Sequence, residues 1–203
     1  MIFPPRCLGC GVLNEGLCRL CSIIWILRSH RAVVGRTPIF SSLRYNSSVS
    51  RILLSAKEDG IAKADELLLL ALHSSLLSAI ENLGMRPLLV PIPSSARAIR
   101  RRGREFVFDM TVRVGARENM PVQNLLQHNR RVLDQSQLNG SERFQNLAGA
   151  ISLKVACGRP REVIIVDDLI TTGATLNEAV RALEIGGFRV LAGITAFVAL
   201  PLR

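Results

Sequence analysis

The sequence predicts an α/β fold, with a mostly parallel sheet and helices on both faces, behind a small cysteine-rich module. Short apolar, β-branched runs alternate with segments of helical spacing along most of the chain. Apolar residues make up 48% of the 203 residues, which is enough for a large core, and aromatic residues only 4%, so that core is mainly aliphatic. Four of the five cysteines lie between Cys7 and Cys21. We therefore expect a four-cysteine module over residues 1–30 and an α/β domain over residues 31–203.

The individual elements follow from periodicity and from helix-stop signals. Asn46 and the two serines after it offer a turn or a helix cap, and Gly84 stops a long helical pattern. In chain order we expect a strand over 39–45, a capped segment over 49–55, a helix over 61–83, a strand over 87–93, a helix over 106–116, a strand over 122–126, a capped helix over 139–148, a strand over 162–166, a helix over 175–184 and a strand over 188–197.

The charge balance points to anionic partners. The formal net charge is +10 and the sequence pI is near 10.6, which favours phosphates, nucleotides or nucleic acid. The most apolar run, 67–72, is broken at His73 and is far shorter than the roughly 18 residues of a membrane span. No long apolar region precedes Cys7, so no signal peptide is indicated. We expect a cytoplasmic protein that is not inserted in a membrane.

The cysteine cluster has the spacing of a metal site. Cys7 and Cys10 form one Cys-x2-Cys knuckle, and Cys18 and Cys21 form a second. Two knuckles together supply four thiolates, which suits a closed, structural Zn²⁺ site in a reducing compartment. An iron–sulfur cluster and redox-active thiols are the alternatives. Cys157 stands apart and is interpreted as an ordinary small residue.

A strand–loop–helix segment carries the clearest chemical signal. Asp167 and Asp168 follow the apolar run 163–166, and the chain then turns into a helix that starts near Thr175. The N–H groups at a helix N-terminus favour an anion, Gly173 allows close backbone approach, and the threonines add hydroxyl donors. The expected phosphate-binding residues are Thr171, Thr172, Gly173, Ala174 and Thr175. The two carboxylates would repel a phosphate, so we expect them to bind ribose hydroxyls.

The thirteen residues 163–175 resemble the ligand loop of the phosphoribosyltransferases at every position: four apolar residues, two acids, two apolar residues, then Thr-Thr-Gly-Ala-Thr. The resemblance implies a type I phosphoribosyltransferase-like sheet that binds 5-phosphoribosyl-1-diphosphate with Mg²⁺. It also implies that Asp167 and Asp168 bind the ribose and the magnesium ion. The loop specifies binding rather than reaction, so the catalytic residues stay unknown. The 6-oxopurine salvage enzymes usually carry an acid where this chain has Thr171, which speaks against that branch.

A basic segment follows the loop Pro91–Pro93. Its candidate ligand residues are Ser94, Arg97, Arg100, Arg101 and Arg102, to which we add Lys57 from earlier in the chain. These side chains can clamp a diphosphate or follow a nucleic-acid backbone, or they can form a solvated helix face. Aromatic residues nearby are limited to Phe106 and Phe108, so stacking of bases is weakly supported.

The order of motifs resembles the ComF family of competence-associated, phosphoribosyltransferase-like proteins. The matching features are the knuckles, Lys57 with Asp59-Gly60, Val90-Pro91-Ile92-Pro93, the arginines with Arg102-Gly103, the block Gln135-x2-Leu138-x3-Glu142-Arg143-x2-Asn146-x2-Gly149-Ala150, and the Asp167-Asp168 loop. The resemblance implies a cytoplasmic role in DNA uptake during natural transformation, with single-stranded DNA and the uptake machinery as partners. Two positions differ from the family. Glu58 stands where an aromatic residue is common, and Arg104-Glu105-Phe106 replaces Phe-Asn-Gln.

Two other functions stay open from the sequence. One is an active phosphoribosyltransferase, a glycosyltransferase of nucleotide salvage with an unknown acceptor. The other is a nucleotide sensor that binds phosphoribosyl diphosphate or a related nucleotide without catalysis.

Overall fold

The structure is a computed structural model, and it describes residues 5–13, 16–129, 149–154, 161–200 and 202. Among these residues there are six helices and seven strands. In chain order they are α1 (Arg19–Ile24), β1 (His30–Val34), β2 (Thr37–Arg44), α2 (Ser47–Lys57), α3 (Ala62–Leu83), β3 (Leu88–Pro91), α4 (Ala96–Arg102), α5 (Phe106–Arg117), β4 (Leu126–His128), β5 (Ile151–Leu153), β6 (Glu162–Ile170), α6 (Ala174–Ile185) and β7 (Arg189–Val198).

The main sheet has five strands in the order β1-β2-β7-β6-β3. The neighbours from β2 to β3 pair in parallel, and β1 alone is antiparallel, as a hairpin partner of β2. β4 and β5 form a separate two-stranded antiparallel sheet. The predicted mostly parallel sheet is therefore confirmed. Its parallel strands end together at one edge, where ligands of open α/β sheets bind.

Helices cover both faces of the sheet, as predicted. Alternate residues of each strand point to opposite faces, so Ile164 and Val166 pack with α2, α3 and α5, whereas Val163 and Ile165 pack with α6. The first of these cores contains Phe106 and the other fully buried side chains of α3 and α5. The second core is smaller and also receives apolar side chains from β4 and β5.

Helix α3 is long and apolar enough to cross a membrane by length and composition alone. In the structure it lies on the sheet instead. Leu68, Leu72 and Leu76 are buried in the main core, and Gly84 ends the helix in the left-handed conformation that glycine adopts without strain. This is the position of a core helix, in agreement with the predicted helix over 61–83.

The cysteine module packs directly on the α/β domain. Trp25 meets Phe197 of β7 edge-on, with 5.8 Å between ring centroids. Leu8 and Leu17 pack against the main core, and the Arg51 guanidinium of α2 donates to the Cys10 carbonyl at 2.9 Å. The boundary at residue 30 stays a prediction, but the module and the domain share apolar contacts.

Two predicted strands need correction. β6 does not stop at residue 166 but continues to Ile170, because its parallel pairing with β7 continues through Asp167 and Leu169. Asp167 and Asp168 therefore lie within a strand and not after it. The strand predicted over 122–126 is wrong, since β4 starts only at Leu126 and Val122 forms an isolated bridge with Leu89.

The sequence did not predict α1, α4, β1 or β5. α1 and α4 have six and seven residues, and β5 has three, so their hydrophobic periods are too short to stand out. The helix predicted over 139–148, most of the Gln135 to Ala150 block and Cys157 lie outside the described residues.

Candidate functional site

The four cysteines of the knuckles converge on one point. Their Sγ atoms all lie within 4.8 Å of one another, and those of Cys10 and Cys18 are 3.6 Å apart. Tetrahedral zinc with Zn–S bonds of about 2.3 Å places its sulfurs roughly 3.8 Å apart, which fits this spacing. Four cysteines this close together can bind a metal such as zinc.

The surroundings of the Cys7 sulfur favour the thiolate over the thiol. The Cys18 amide donates to Cys7 Sγ at 3.3 Å. Burial alone would raise the pKa of the Cys7 thiol, but the amides of Cys18, Cys10 and Gly9 outweigh it and lower the pKa to about 6. Amide donation to sulfur therefore stabilises the thiolate, the form that ligates metals.

The carboxyl ends of β6 and β7 and the start of α6 enclose a polar pocket. Asp167 of β6 and Thr195 of β7 are register partners, and both line it. The remaining lining residues come from the loop and the first turn of α6: Leu169, Ile170, Thr171, Thr172, Gly173, Ala174, Thr175 and Leu176. The first-turn N–H groups of a helix have no intrahelical partner, so they carry partial positive charge at this pocket.

The fold itself favours glycine at position 173. It caps α6 with φ of 77°, a left-handed conformation that favours glycine. A β-carbon there would lie 2.6 Å and 2.8 Å from the two methyl groups of Val34 in β1. The sequence assigned this glycine to close contact with a phosphate. The structure adds a neighbour that the sequence did not predict.

The two acids differ in their surroundings. Asp168 is buried, and Lys57 at the end of α2 forms an ion pair with its carboxylate. Burial alone would lower the pKa of Lys57, but the carboxylates of Asp168 and Asp167 outweigh it and raise that pKa above its usual range. Lys57, expected from the sequence to bind diphosphate or DNA, therefore contacts an acid of β6.

Asp167 forms no ion pair with a cation among the residues that the structure describes. Its Oδ1 accepts the Asp168 amide at 2.8 Å. Leu68, Leu72 and the other apolar side chains of a neighbouring pocket border both acids. Burial first, and repulsion from Asp168 second, raise the pKa of Asp167 to about 8.

The arginine segment forms α4, a short helix capped by Ser95, whose side chain accepts the Ala98 amide at 3.2 Å. Arg101 and Arg102 both bind the carboxylate of Glu58, next to Lys57. The Arg102 and Arg101 guanidinium groups lower the pKa of Glu58, with Arg102 the larger cause.

The remaining members of the segment are less constrained. Arg97 and Arg100 are exposed, and neither forms an ion pair with another described residue. Ser94 is half-buried between β3 and α4. The structure thus divides the candidate arginines into two that are paired and two that are open to solvent.

Arg104 has a structural role that sequence reasoning missed. Its guanidinium binds the Asp65 carboxylate at 2.6 Å and 2.9 Å, donates to the Ala56 carbonyl, and lies 4.9 Å from the centre of the Phe106 ring. Glu58 was missed in the same way. The available signal was that both positions differ from the ComF pattern.

Comparisons with known proteins give distant matches to solved structures. No protein-family model and no curated protein matches the chain. Orotate phosphoribosyltransferase from Aeropyrum pernix is 15% identical, over 86% of this chain and 76% of its own, with a TM-score of 0.40. An adenine phosphoribosyltransferase is 14% identical, over 90% of both chains, with a TM-score of 0.48. That from Thermoanaerobacter pseudethanolicus is 15% identical, over 88% of this chain and 99% of its own, with a TM-score of 0.42. All three TM-scores are below 0.5.

Proposed function

We propose that this protein binds 5-phosphoribosyl-1-diphosphate at the carboxyl edge of its main sheet. The observation that carries the proposal is the polar pocket at the start of α6, with Asp167 on its wall. An anion at the N-terminus of α6 would accept hydrogen bonds from the first-turn amides and from the hydroxyls of Thr171, Thr172 and Thr175. The 5-phosphate of the ligand suits this position.

The acid pair supplies the other half of the site. Carboxylates accept hydrogen bonds from a ribose diol, and Asp167 lies close enough to the loop to line the same pocket. Asp167 and Asp168 would also hold Mg²⁺, which neutralises charge on a bound diphosphate. Lys57 is a cation beside these acids, and Arg102 of α4 lies close enough to Lys57 to repel it.

Calorimetry with phosphoribosyl diphosphate, with and without Mg²⁺, tests the proposal. Thr175→Val keeps the shape of the side chain but removes one hydroxyl. We expect it to weaken binding by about tenfold or more, because a hydrogen bond to a charged group contributes roughly 1.5–3 kcal/mol. Thr111→Val is the matched control. The Thr111 hydroxyl donates to the Val107 carbonyl within α5, and α5 lies on the other face of the sheet. Absence of both heat and a melting shift at millimolar ligand would refute the proposal.

A second candidate function is binding of single-stranded DNA, which the exposed arginines of α4 support. Arg97→Ala with Arg100→Ala should weaken binding evenly across sequences and flatten the salt dependence, by about 0.7 in the log–log slope for each lost contact. Arg189→Ala is the control, because Arg189 is exposed at the opposite, amino end of β7. An unchanged slope in the double variant would exclude these arginines from a DNA site.

The order of motifs supports a ComF-like role in DNA uptake in the cytoplasm as the biological setting. Turnover of phosphoribosyl diphosphate with a nucleobase would instead favour an active glycosyltransferase. Ligand binding with neither turnover nor DNA binding would favour a nucleotide sensor. A turnover assay over the common bases, run beside the DNA titration, separates the three.

A further inference from the structure

The carboxylate of Glu58 occupies a complete oxyanion site made by two arginines. Arg101 donates Nε and Nη2 to Oε2, at 3.1 Å and 2.7 Å. Arg102 donates Nε and Nη2 to Oε1, at 3.0 Å and 2.7 Å. Two guanidinium forks converging on a pair of oxygens is also the arrangement that binds a phosphate group.

This cluster lies beside the proposed ligand site. Glu58 directly follows Lys57, whose ammonium binds Asp168 of β6. Arg102 is close enough to Lys57 to repel it electrostatically. α4 itself begins just after β3, whose carboxyl end lies next to that of β6 in the parallel sheet.

We propose that Glu58 is an intramolecular competitor, which holds Arg101 and Arg102 in the free protein and gives way to a phosphate group of the bound ligand. This inference rests on the proposed binding of a phosphate-bearing ligand and adds a regulation to that site. The shared chemistry is an oxyanion that accepts two forks, and either a diphosphate or a phosphodiester can supply it.

Burial explains why the two arginines would exchange Glu58 for a phosphate group and would not simply lose their acceptor. The Arg102 side chain is only 9% exposed, so its guanidinium needs an acceptor in any stable state. The Glu58 and Arg101 side chains are 26% and 60% exposed, so Glu58 can swing into water while Arg101 stays solvated. An incoming anion therefore replaces a partly hydrated carboxylate instead of entering an empty buried site.

A purely structural role for Glu58 predicts the opposite change in anion affinity when its charge is removed. If Glu58 only fixed α4 in place, removing its charge would loosen the two arginines and weaken anion binding. If Glu58 competes, removing its charge frees them and strengthens binding.

The test compares Glu58→Gln with Asp59→Asn, which has the same change in net charge at the next residue. Asp59 is exposed and forms no ion pair with a described residue. Calorimetry measures the affinity of the 203-residue proteins, purified in the presence of zinc, for inorganic diphosphate and for a single-stranded oligonucleotide. We expect Glu58→Gln to raise the affinity for at least one of them severalfold above Asp59→Asn. Adding Arg102→Met should abolish that gain.

Each result has one meaning. A gain confined to inorganic diphosphate identifies a diphosphate site, and a gain confined to the oligonucleotide identifies a phosphodiester site. Equal changes in the two single variants, a loss in Glu58→Gln, or a gain that survives Arg102→Met overturns the inference.

Phosphoribosyl diphosphate is titrated separately into the unmodified protein. If it fails to bind while Glu58→Gln gains affinity for diphosphate, the proposed function fails and the competition stands.

Discussion

Replacing Lys57 with Met tests whether the ion pair with Asp168 holds the edge of the sheet together. Asp168 is 8% exposed, so loss of the ammonium would leave a buried carboxylate without a counter-charge. Breaking a fully buried pair costs about 3–5 kcal/mol of unfolding free energy. The Lys57 side chain is 23% exposed, which admits water, so we expect the lower figure of about 2–3 kcal/mol. For a chain of this size that corresponds to a fall of roughly 5–10 °C in melting temperature.

Urea denaturation of the ligand-free protein, purified in the presence of zinc and followed by circular dichroism, measures the loss. The double variant Lys57→Met with Asp168→Asn completes the cycle, because the neutral amide no longer needs a cation. We expect it to regain about 2 kcal/mol relative to the sum of the two single losses. Additive losses, or a loss below about 1 kcal/mol in Lys57→Met, would refute the view that the pair is energetically coupled.

Three further predictions concern other parts of the molecule. Cys10→Ser should lose bound zinc by elemental analysis, because a three-thiolate site is left open, and iron in the unmodified protein would contradict the zinc assignment. Gly173→Ala should lower the melting temperature without ligand, and Val34→Ala should restore part of the loss by removing the methyl groups that the new β-carbon meets; a variant as stable as the unmodified protein would disprove the contact. Glu118→Gln should destabilise the protein at pH 7, and this loss should shrink as the pH falls below the usual pKa of a glutamate. Hydrogen bonds from His73 and Arg86 lower the pKa of Glu118, so its contribution is present above the usual pKa and is lost as pH falls through the folded one. A loss that does not vary with pH would contradict this.

The long or strongly patterned elements could be predicted from the sequence. α3 has a 22-residue helical pattern and a glycine stop, and its predicted bounds agree with the structure to one residue. β6 was predicted too short, because Asp167 and Asp168 interrupt its apolar run even though their backbones stay in the ladder. Composition indicates which side chains avoid water, but strand pairing is decided by the neighbouring strand. β1 was missed for a related reason, since it is an edge strand of alternating burial that only its hairpin with β2 defines.

The candidate site could be predicted in its residue types but not in its pairings. The motif spacing predicted that the loop threonines and the two acids lie at one edge of the sheet, because parallel strands end together there. No local pattern showed that Lys57 binds Asp168, or that Glu58 takes two of the arginines, because these partners are far apart in the chain. Such contacts depend on where α2 ends relative to β6 and α4, which is a property of the tertiary fold.

The two departures from the ComF pattern act on the same turn of one helix. Arg104 donates to the Ala56 carbonyl just before Lys57, and Glu58 is held by Arg101 and Arg102 just after it. Charged contacts therefore hold the backbone just before Lys57 and the side chain just after it, and the Lys57 ammonium pairs with Asp168. Of these contacts, the pair of Glu58 with Arg101 should weaken most as salt rises, because the Arg101 side chain is 60% exposed.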